Sequence, residues 1–130
     1  MIDHTGIGVS DYARSRAFYT EALGAIGLVK VMEFPADGPT GCNMAGFGPP
    51  GKPEFWIAGG QPNEPRIHVA FRVDSHADVD AFYLAAMAAG GRDNGPPGIR
   101  AHYHPDYYGA FVLDPDGHNI EAVCHCPEVE

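Results

Sequence analysis

The sequence has no long apolar segment and few basic residues, and both absences restrict what the protein can be. No apolar run approaches the roughly 18 residues that a membrane-spanning helix needs, so we expect no membrane association. Only 8 Lys and Arg residues stand against 17 Asp and Glu residues, which gives a formal net charge of -9. This charge disfavours a nucleic-acid partner, because nucleic-acid binding depends on cationic contacts to phosphates.

Signals for secretion and for disulfide bonding are also absent. The N-terminus has no basic segment followed by an apolar segment, so a cytoplasmic location is expected. The odd number of cysteines, Cys42, Cys124 and Cys126, predicts no disulfide framework. Cys124-His125-Cys126 is similar to a metal-binding tract, but in a strand its two thiols and its imidazole point to opposite faces. No second Cys/His pair has zinc-finger spacing, and we interpret this stretch as a strand end.

The chain does contain an internal repeat with an offset of 64 positions. Eight residues of the first half are identical to residues of the second half at this offset. The identical pairs are His4/His68, Val9/Val73, Ala17/Ala81, Phe18/Phe82, Tyr19/Tyr83, Ala22/Ala86, Ala25/Ala89 and Gly27/Gly91. A fixed internal period predicts a duplicated module, here in two copies.

Each copy predicts the element order strand, helix, strand, strand, strand, from periodicity and turn residues. We assign module one to residues 1–60, a polar linker to 61–65 and module two to 66–126, and expect residues 1–130 to form a single domain. The predicted strands are Ile2–Val9, Ile26–Phe34, Cys42–Phe47, Phe55–Ala58, Ile67–Val73, Ile99–His104, Tyr107–Leu113 and Asn119–Val123, and the predicted helices are Tyr12–Leu23 and His76–Ala89.

Other local features complete these expectations. Asp93–Gly98 is predicted to be a loop, because it is rich in glycine and proline. Asp114-Pro115-Asp116-Gly117 is predicted to be a turn whose carboxylates face solvent. The histidines at 76 and 118 are expected to be exposed. The Phe-Tyr pairs at 18–19 and 82–83 are expected to pack from the helices onto the sheets.

This pattern resembles the vicinal oxygen chelate superfamily, which includes glyoxalase I, bleomycin resistance proteins and extradiol dioxygenases. The similar segments are Asp3-His4, His68–Val73 and Phe111–Glu121, and the resemblance covers Met1–Val123. It implies an α+β fold of two tandem βαβββ modules, whose curled mixed sheets form a cup. It further implies a small-molecule substrate or ligand and a homodimer.

The resemblance also implies a set of metal ligands. His4 and His68 match the first-strand ligands of the two modules, and Glu121 matches the last-strand carboxylate of module two. Two imidazoles and one carboxylate suit Fe, Mn, Ni or Zn acting as a Lewis acid, and no organic cofactor is expected. A fourth ligand is expected on the last strand of module one, where Trp56 stands and Glu54 is the nearest carboxylate.

The tract Arg100–Tyr108 concentrates histidine, tyrosine and arginine, and we predict that it lines the cup. Predicted substrate-binding residues are Trp56, Arg100, His102, Tyr103 and Tyr107. Predicted catalytic residues are Glu121, His104 and Tyr108, the last two as acid/base groups.

Two functions are open at this point. The first is a divalent-metal-dependent enzyme that acts through bidentate chelation of a small oxygen-bearing substrate, as a lyase, an isomerase or a ring-cleaving dioxygenase. The alternative is a metal-free protein of the bleomycin resistance type, with aromatic residues stacked on a bound drug. The sequence also leaves open whether the cup forms within one chain or across two.

Overall fold

The structure, a computed structural model, describes residues 1–127 and contains eight strands and two helices in that range. The elements follow each other in the order β1 (Thr5–Val9), α1 (Tyr12–Gly24), β2 (Val29–Phe34), β3 (Met44–Gly48), β4 (Phe55–Gly59), β5 (His68–Arg72), α2 (His76–Ala88), β6 (Arg92–Ile99), β7 (Tyr108–Leu113) and β8 (Asn119–Cys124). The order of elements repeats as the 64-residue period predicts.

The eight strands form two four-stranded mixed sheets of the same topology. Sheet A has the order β1-β4-β3-β2, and sheet B has the order β5-β8-β7-β6. In each sheet the first strand of the module pairs in parallel with the last strand, and the other pairs are antiparallel. This arrangement confirms the α+β fold class with two βαβββ modules and open, curled sheets.

Each helix begins at a capping side chain and packs its aromatic residues into a shared core. The side chain of Asp11 accepts a hydrogen bond from Arg14 N, and that of Ser75 accepts one from Asp78 N. Phe18, Tyr19 and Phe82 are fully buried, as the sequence predicts. Within the described chain neither helix is long and apolar enough to cross a membrane.

One strand of module two is placed differently from the sequence prediction. The strand predicted at Ile99–His104 is wrong, because β6 runs over Arg92–Ile99 and the residues after it form turns. The predicted loop Asp93–Gly98 therefore lies within β6. This strand is at the edge of sheet B, and its register to β7 breaks on both sides of Gly95. An edge strand tolerates prolines, since the N–H groups they lack are not all needed for pairing.

The turn between β7 and β8 is also more buried than predicted. Asp114 and His118 are almost completely buried, so the expectation that both face solvent is wrong. Asp114 accepts hydrogen bonds from the hydroxyl of Tyr19 and from the backbone N–H of His118. His118 Nδ1 accepts from Ile67 N–H, and its Nε2 donates to the carbonyl of Gly8. The turn thus joins module two to the first helix and strand of module one.

Candidate functional site

A buried carboxylate on the last strand is the centre of the candidate site. In β8 the side chains of Ile120 and Ala122 enter the core, and the alternation of a strand turns Glu121 to the opposite, open face of sheet B. Glu121 is nevertheless only 1% exposed, because neighbouring side chains cover it. Gly109 leaves room for it, since a Cβ there would lie 3.3 Å from Glu121 Oε2.

Two side chains hydrogen-bond to this carboxylate, one at each oxygen. His68 Nε2 lies 2.8 Å from Glu121 Oε1, and the hydroxyl of Tyr107 donates to Glu121 Oε2. The imidazole of His68 is 53% exposed and tilts against the ring of Phe111. His68 therefore stands between the buried carboxylate and solvent.

Tyr107 is a hydrogen-bond donor to Glu121 in this arrangement. Burial, followed by its hydrogen bond to Glu121, raises the pKa of Tyr107 well above its usual value. The phenol accordingly stays protonated across the physiological range.

His4 lies in module one, just before β1, and its imidazole is held from one side. Its Nδ1 is 2.7 Å from Asp3 Oδ1, and Lys52 Nζ is 3.3 Å from the same oxygen. The hydrogen bond from His4, followed by Lys52, lowers the pKa of Asp3. A carboxylate on one imidazole nitrogen directs the other nitrogen outward, as it does in many metal-binding histidines.

An apolar concavity on the open face of sheet A has Trp56 as its wall. The indole stacks on Phe34, with ring centroids 6.0 Å apart and planes inclined by 13°. Glycines stand opposite Trp56 on both neighbouring strands, Gly6 on β1 and Gly46 on β3. A Cβ at Gly46 would lie 2.9 Å from the indole, so glycine is needed there. The cavity measures about 480 Å³ and is lined by Asp3, His4, Thr5, Gly6, Phe34, Thr40, Met44, Lys52, Pro53 and Trp56.

The predicted metal ligands do not all come together in one chain. His68 and Glu121 are in contact, whereas His4 is hydrogen-bonded to Asp3. Glu54 is exposed and shares with both histidines the lining of a groove between β1 and β5. Within residues 1–127 no three His, Cys, Asp or Glu side chains form a group that could hold a metal ion.

The tract that follows β6 is divided between the two faces of sheet B. Tyr107 reaches Glu121, while Tyr108 donates to Asp80 on α2 and stacks on His76. Alternate residues of a strand lie on the same face of the sheet. Tyr107 therefore shares a face with Phe111, which pairs with Glu121, and Tyr108 lies on the other face. The tract is predicted from the sequence as one aromatic surface, which does not separate Tyr107 from Tyr108.

The histidines of this tract lie at its exposed end. His104 Nδ1 accepts a hydrogen bond from Asp106 N, and His102 packs on the ring of Tyr103. Tyr103 in turn makes an edge contact with Tyr107, with ring centroids 5.0 Å apart. The tract therefore borders the site, with Tyr107 as its innermost residue.

Comparisons with known proteins agree with the fold. A family model described as the Glyoxalase/Bleomycin resistance protein/Dioxygenase superfamily matches residues 1–122. The crystal structure of a glyoxalase/bleomycin resistance protein from Albidiferax ferrireducens is 29% identical, with a TM-score of 0.73 over 94% of this chain and 96% of that chain. No curated protein matches the sequence.

Two further solved structures share the fold at lower identity. A mutant fosfomycin resistance protein from Listeria monocytogenes, in complex with Mn(II) and a dihydroxypropylphosphonic acid, is 18% identical, with a TM-score of 0.67 over 95% of this chain and 88% of that chain. Lactoylglutathione lyase from Agrobacterium tumefaciens is 19% identical, with a TM-score of 0.64 over 95% and 92%.

Proposed function

Because the chain belongs to the glyoxalase/bleomycin resistance protein/dioxygenase superfamily, we propose that it is a divalent-metal-dependent enzyme. Its substrate is a small molecule that presents two adjacent oxygens for bidentate chelation, and its reaction is that of a lyase, an isomerase or a ring-cleaving dioxygenase. The observation that carries the proposal is the contact between His68 Nε2 and the buried Glu121 Oε1 at 2.8 Å.

This pair fits two neighbouring positions of a metal site. Adjacent ligands about 2.1 Å from one ion are about 3 Å apart, which is close to the separation of these two atoms. Tyr107 on the second oxygen of Glu121 supports the orientation that a ligand carboxylate needs. His4, with Asp3 on its Nδ1, offers its Nε2 as the third donor.

A second copy of the chain completes the ligand set in this proposal. His4 belongs to module one, and in a single chain it does not join His68 and Glu121 in a metal-binding group among the described residues. In a homodimer, module one of one protomer faces module two of its partner. The cup then contains His4 of one chain and the His68–Glu121 pair of the other.

The contacts of Glu121 support a role for each group around it in the proposed reaction. A bound divalent ion would supply Lewis-acid stabilisation of negative charge on substrate oxygens. Tyr107 keeps its proton and donates to Glu121 Oε2, which would leave Oε1 to contact the ion. We therefore assign to Tyr107, rather than to Tyr108 or His104, the role of orienting Glu121.

Metal-dependent thermal stability tests this function. Chelator-treated protein should melt roughly 5–10 °C higher when Mn(II), Fe(II), Ni(II) or Zn(II) is added at about 100 times its Kd. His68→Ala and Glu121→Gln should lose most of this shift, and His102→Ala, at an exposed ring of the same tract, should keep it. Equal shifts in the wild-type protein and in His68→Ala would contradict the proposed ligands.

The apolar concavity at Trp56 favours a second candidate, a metal-free drug-binding protein. Its walls are mainly apolar, and its indole is stacked and ready to receive a flat ligand. Trp56 is the sole tryptophan of the chain, so its fluorescence reports directly on this cavity. Saturable quenching by bleomycin in chelator-treated protein would favour this candidate, and unchanged fluorescence would exclude bleomycin as its ligand.

A further inference from the structure

Arg100 is a cation without an acidic partner among the described residues. Its Nη1 donates to the carbonyl of Gly98 at 2.8 Å, and its Nη2 donates to the carbonyl of Pro96 at 2.7 Å. Neutral carbonyls orient the guanidinium but leave its charge uncompensated. The remaining N–H donors of this half-buried side chain have no partner in residues 1–127 and are available to a ligand.

Of the other Lys and Arg residues, four have an acidic partner, and Arg14, Arg72 and Arg92 are exposed side chains without one in residues 1–127. Arg16 and Lys30 pair with Glu33, Lys52 pairs with Asp3, and Arg66 pairs with Glu64. A half-buried guanidinium that two backbone carbonyls fix beside the candidate site is a specific feature of this chain, whose net charge is -9. It indicates attraction for an anion at this place, against the overall charge of the molecule.

A small cavity adjoins the guanidinium on the open face of sheet B. It measures about 260 Å³ and is lined by Asn94, Gly95, Arg100, His102, Tyr103, Phe111 and Asn119. The lining contains amide and imidazole donors but no carboxylate. Asn94 Nδ2 donates to Asn119 Oδ1, which leaves the amide group of Asn119 with unused N–H donors. A compact oxyanion fits this combination of one fixed cation and neutral donors.

The cavity is next to the proposed reaction centre. Arg100 lies over the ring of Phe111, 5.4 Å from its centroid, and His68 lies 6.2 Å from Phe111 between ring centroids. Asn119 pairs with His68 across β5 and β8. A single aromatic ring therefore separates the guanidinium from the imidazole that contacts Glu121.

We propose that Arg100, with Asn94 and Asn119, forms a subsite for an oxyanion group, a carboxylate, phosphate or phosphonate. The substrate of the enzyme then carries this anionic group a few bonds away from the oxygens that react. The identification of the substrate class rests on the proposed function. The binding of an anion at Arg100 rests only on the geometry of the cavity.

Titration of chelator-treated protein with inorganic phosphate tests the subsite, followed by NMR of Arg Nε–H and Asn side-chain amides. The wild-type protein should show saturable shifts of the Arg100, Asn94 and Asn119 signals. Arg100→Gln should weaken phosphate binding roughly 10- to 100-fold, the range expected for a hydrogen bond to a charged group. Arg92→Gln makes the same change in charge at the start of β6, at the opposite end of that strand from Arg100, and should leave binding unchanged.

Gly98→Ala provides a variant that keeps the positive charge. A Cβ at Gly98 would lie 3.1 Å from Arg100 Nη1, so the methyl group should displace the flexible guanidinium and weaken phosphate binding by severalfold. A parallel titration with acetate distinguishes the two ligand chemistries: tighter acetate binding indicates a carboxylate, and tighter phosphate binding indicates a phosphate or phosphonate.

Two results would overturn the subsite. One is the absence of saturable shifts with both anions, and the other is equal binding by Arg100→Gln and the wild-type protein. Both are measured without metal and without turnover. Failure of the subsite is thus distinct from failure of the metal-dependent function, which the thermal shifts of His68→Ala and Glu121→Gln test separately.

Discussion

Glu121 is a residue whose burial requires compensation. A carboxylate removed from water is costly unless its oxygens are hydrogen-bonded. Here the hydroxyl of Tyr107 and the imidazole of His68 each hydrogen-bond to one carboxylate oxygen. Because the half-exposed imidazole of His68 can exchange its hydrogen bond with water, Tyr107 should have the larger role in holding Glu121 before any ligand binds.

Substitution of Tyr107 should therefore reduce stability. We expect Tyr107→Phe to lower the free energy of unfolding by about 1–3 kcal/mol at neutral pH, since it leaves a buried carboxylate oxygen without its donor. Urea denaturation measures this change. Tyr103→Phe, at an exposed ring nearby, serves as the matched control and should change stability by less than about 0.5 kcal/mol. Equal stability of both variants would show that Tyr107 does not support Glu121.

At the scale of elements, the repeat made most of the fold predictable. The offset of 64 positions placed both helices and both first strands, because identical spacing implies the same element order in each copy. β6 escaped prediction because its Gly-Pro-Pro-Gly segment reads as a loop unless its place at the sheet edge is known. Local sequence does not reveal which strand will be the edge.

The site was predictable in its residues and less so in their contacts. The repeat and the last-strand motif identified His68 and Glu121, which the fold brings to 2.8 Å. The choice between Tyr107 and Tyr108 depended on the register of β7 against β8, which only the structure supplies. The burial of Asp114 likewise depends on Tyr19, which is distant in sequence and donates to it across the two modules.

The hydrogen bond between Tyr19 on α1 and Asp114 in the β7–β8 turn should make the free energy of unfolding depend on pH in the alkaline range. Burial, then the nearby charge of Asp114, raises the pKa of Tyr19 well above its ordinary value of 10.0. A raised pKa in the folded state means that its contribution is complete below pH 10 and is lost progressively as the pH rises above 10, where only the unfolded chain loses the proton.

Tyr19→Phe should accordingly be most harmful near neutral pH. We expect a loss of about 1–3 kcal/mol at pH 7, and a loss smaller by about 1.4 kcal/mol at about pH 11, one unit above the ordinary tyrosine pKa. Urea denaturation at the two pH values measures the difference, and Tyr103→Phe should show no such change between them. A loss of stability in Tyr19→Phe that is larger at pH 11 than at pH 7 would have the wrong sign and would exclude this explanation.

At the scale of the whole molecule, we propose that two chains together complete the site. In one chain His4 lies beside the Trp56 concavity and His68 contacts Glu121, and the two histidines line one groove without forming a metal-binding group in residues 1–127. A homodimer that faces these surfaces towards each other creates two equivalent cups. Each cup then draws its ligands from both protomers, which a mixture of variants can reveal.

Complementation between two inactive variants tests this assembly. His4→Ala and His68→Ala should each bind little metal alone. After unfolding and refolding together, mixed dimers should regain one intact site each, so that metal content rises towards about a quarter of the wild-type value for random pairing. No recovery from verified mixed dimers would indicate that each site is built within one chain or that these histidines are not its ligands.

The central claim is that His68 and Glu121 hold a divalent metal, and elemental analysis tests it most directly. The protein should be purified without a histidine tag or chelator, reconstituted with Fe(II), Mn(II), Ni(II) or Zn(II), and compared with His68→Ala. We expect about one equivalent per chain in the wild-type protein and a small fraction of this in the variant. Metal that stays far below one equivalent after reconstitution, and is unchanged in His68→Ala, would contradict the claim.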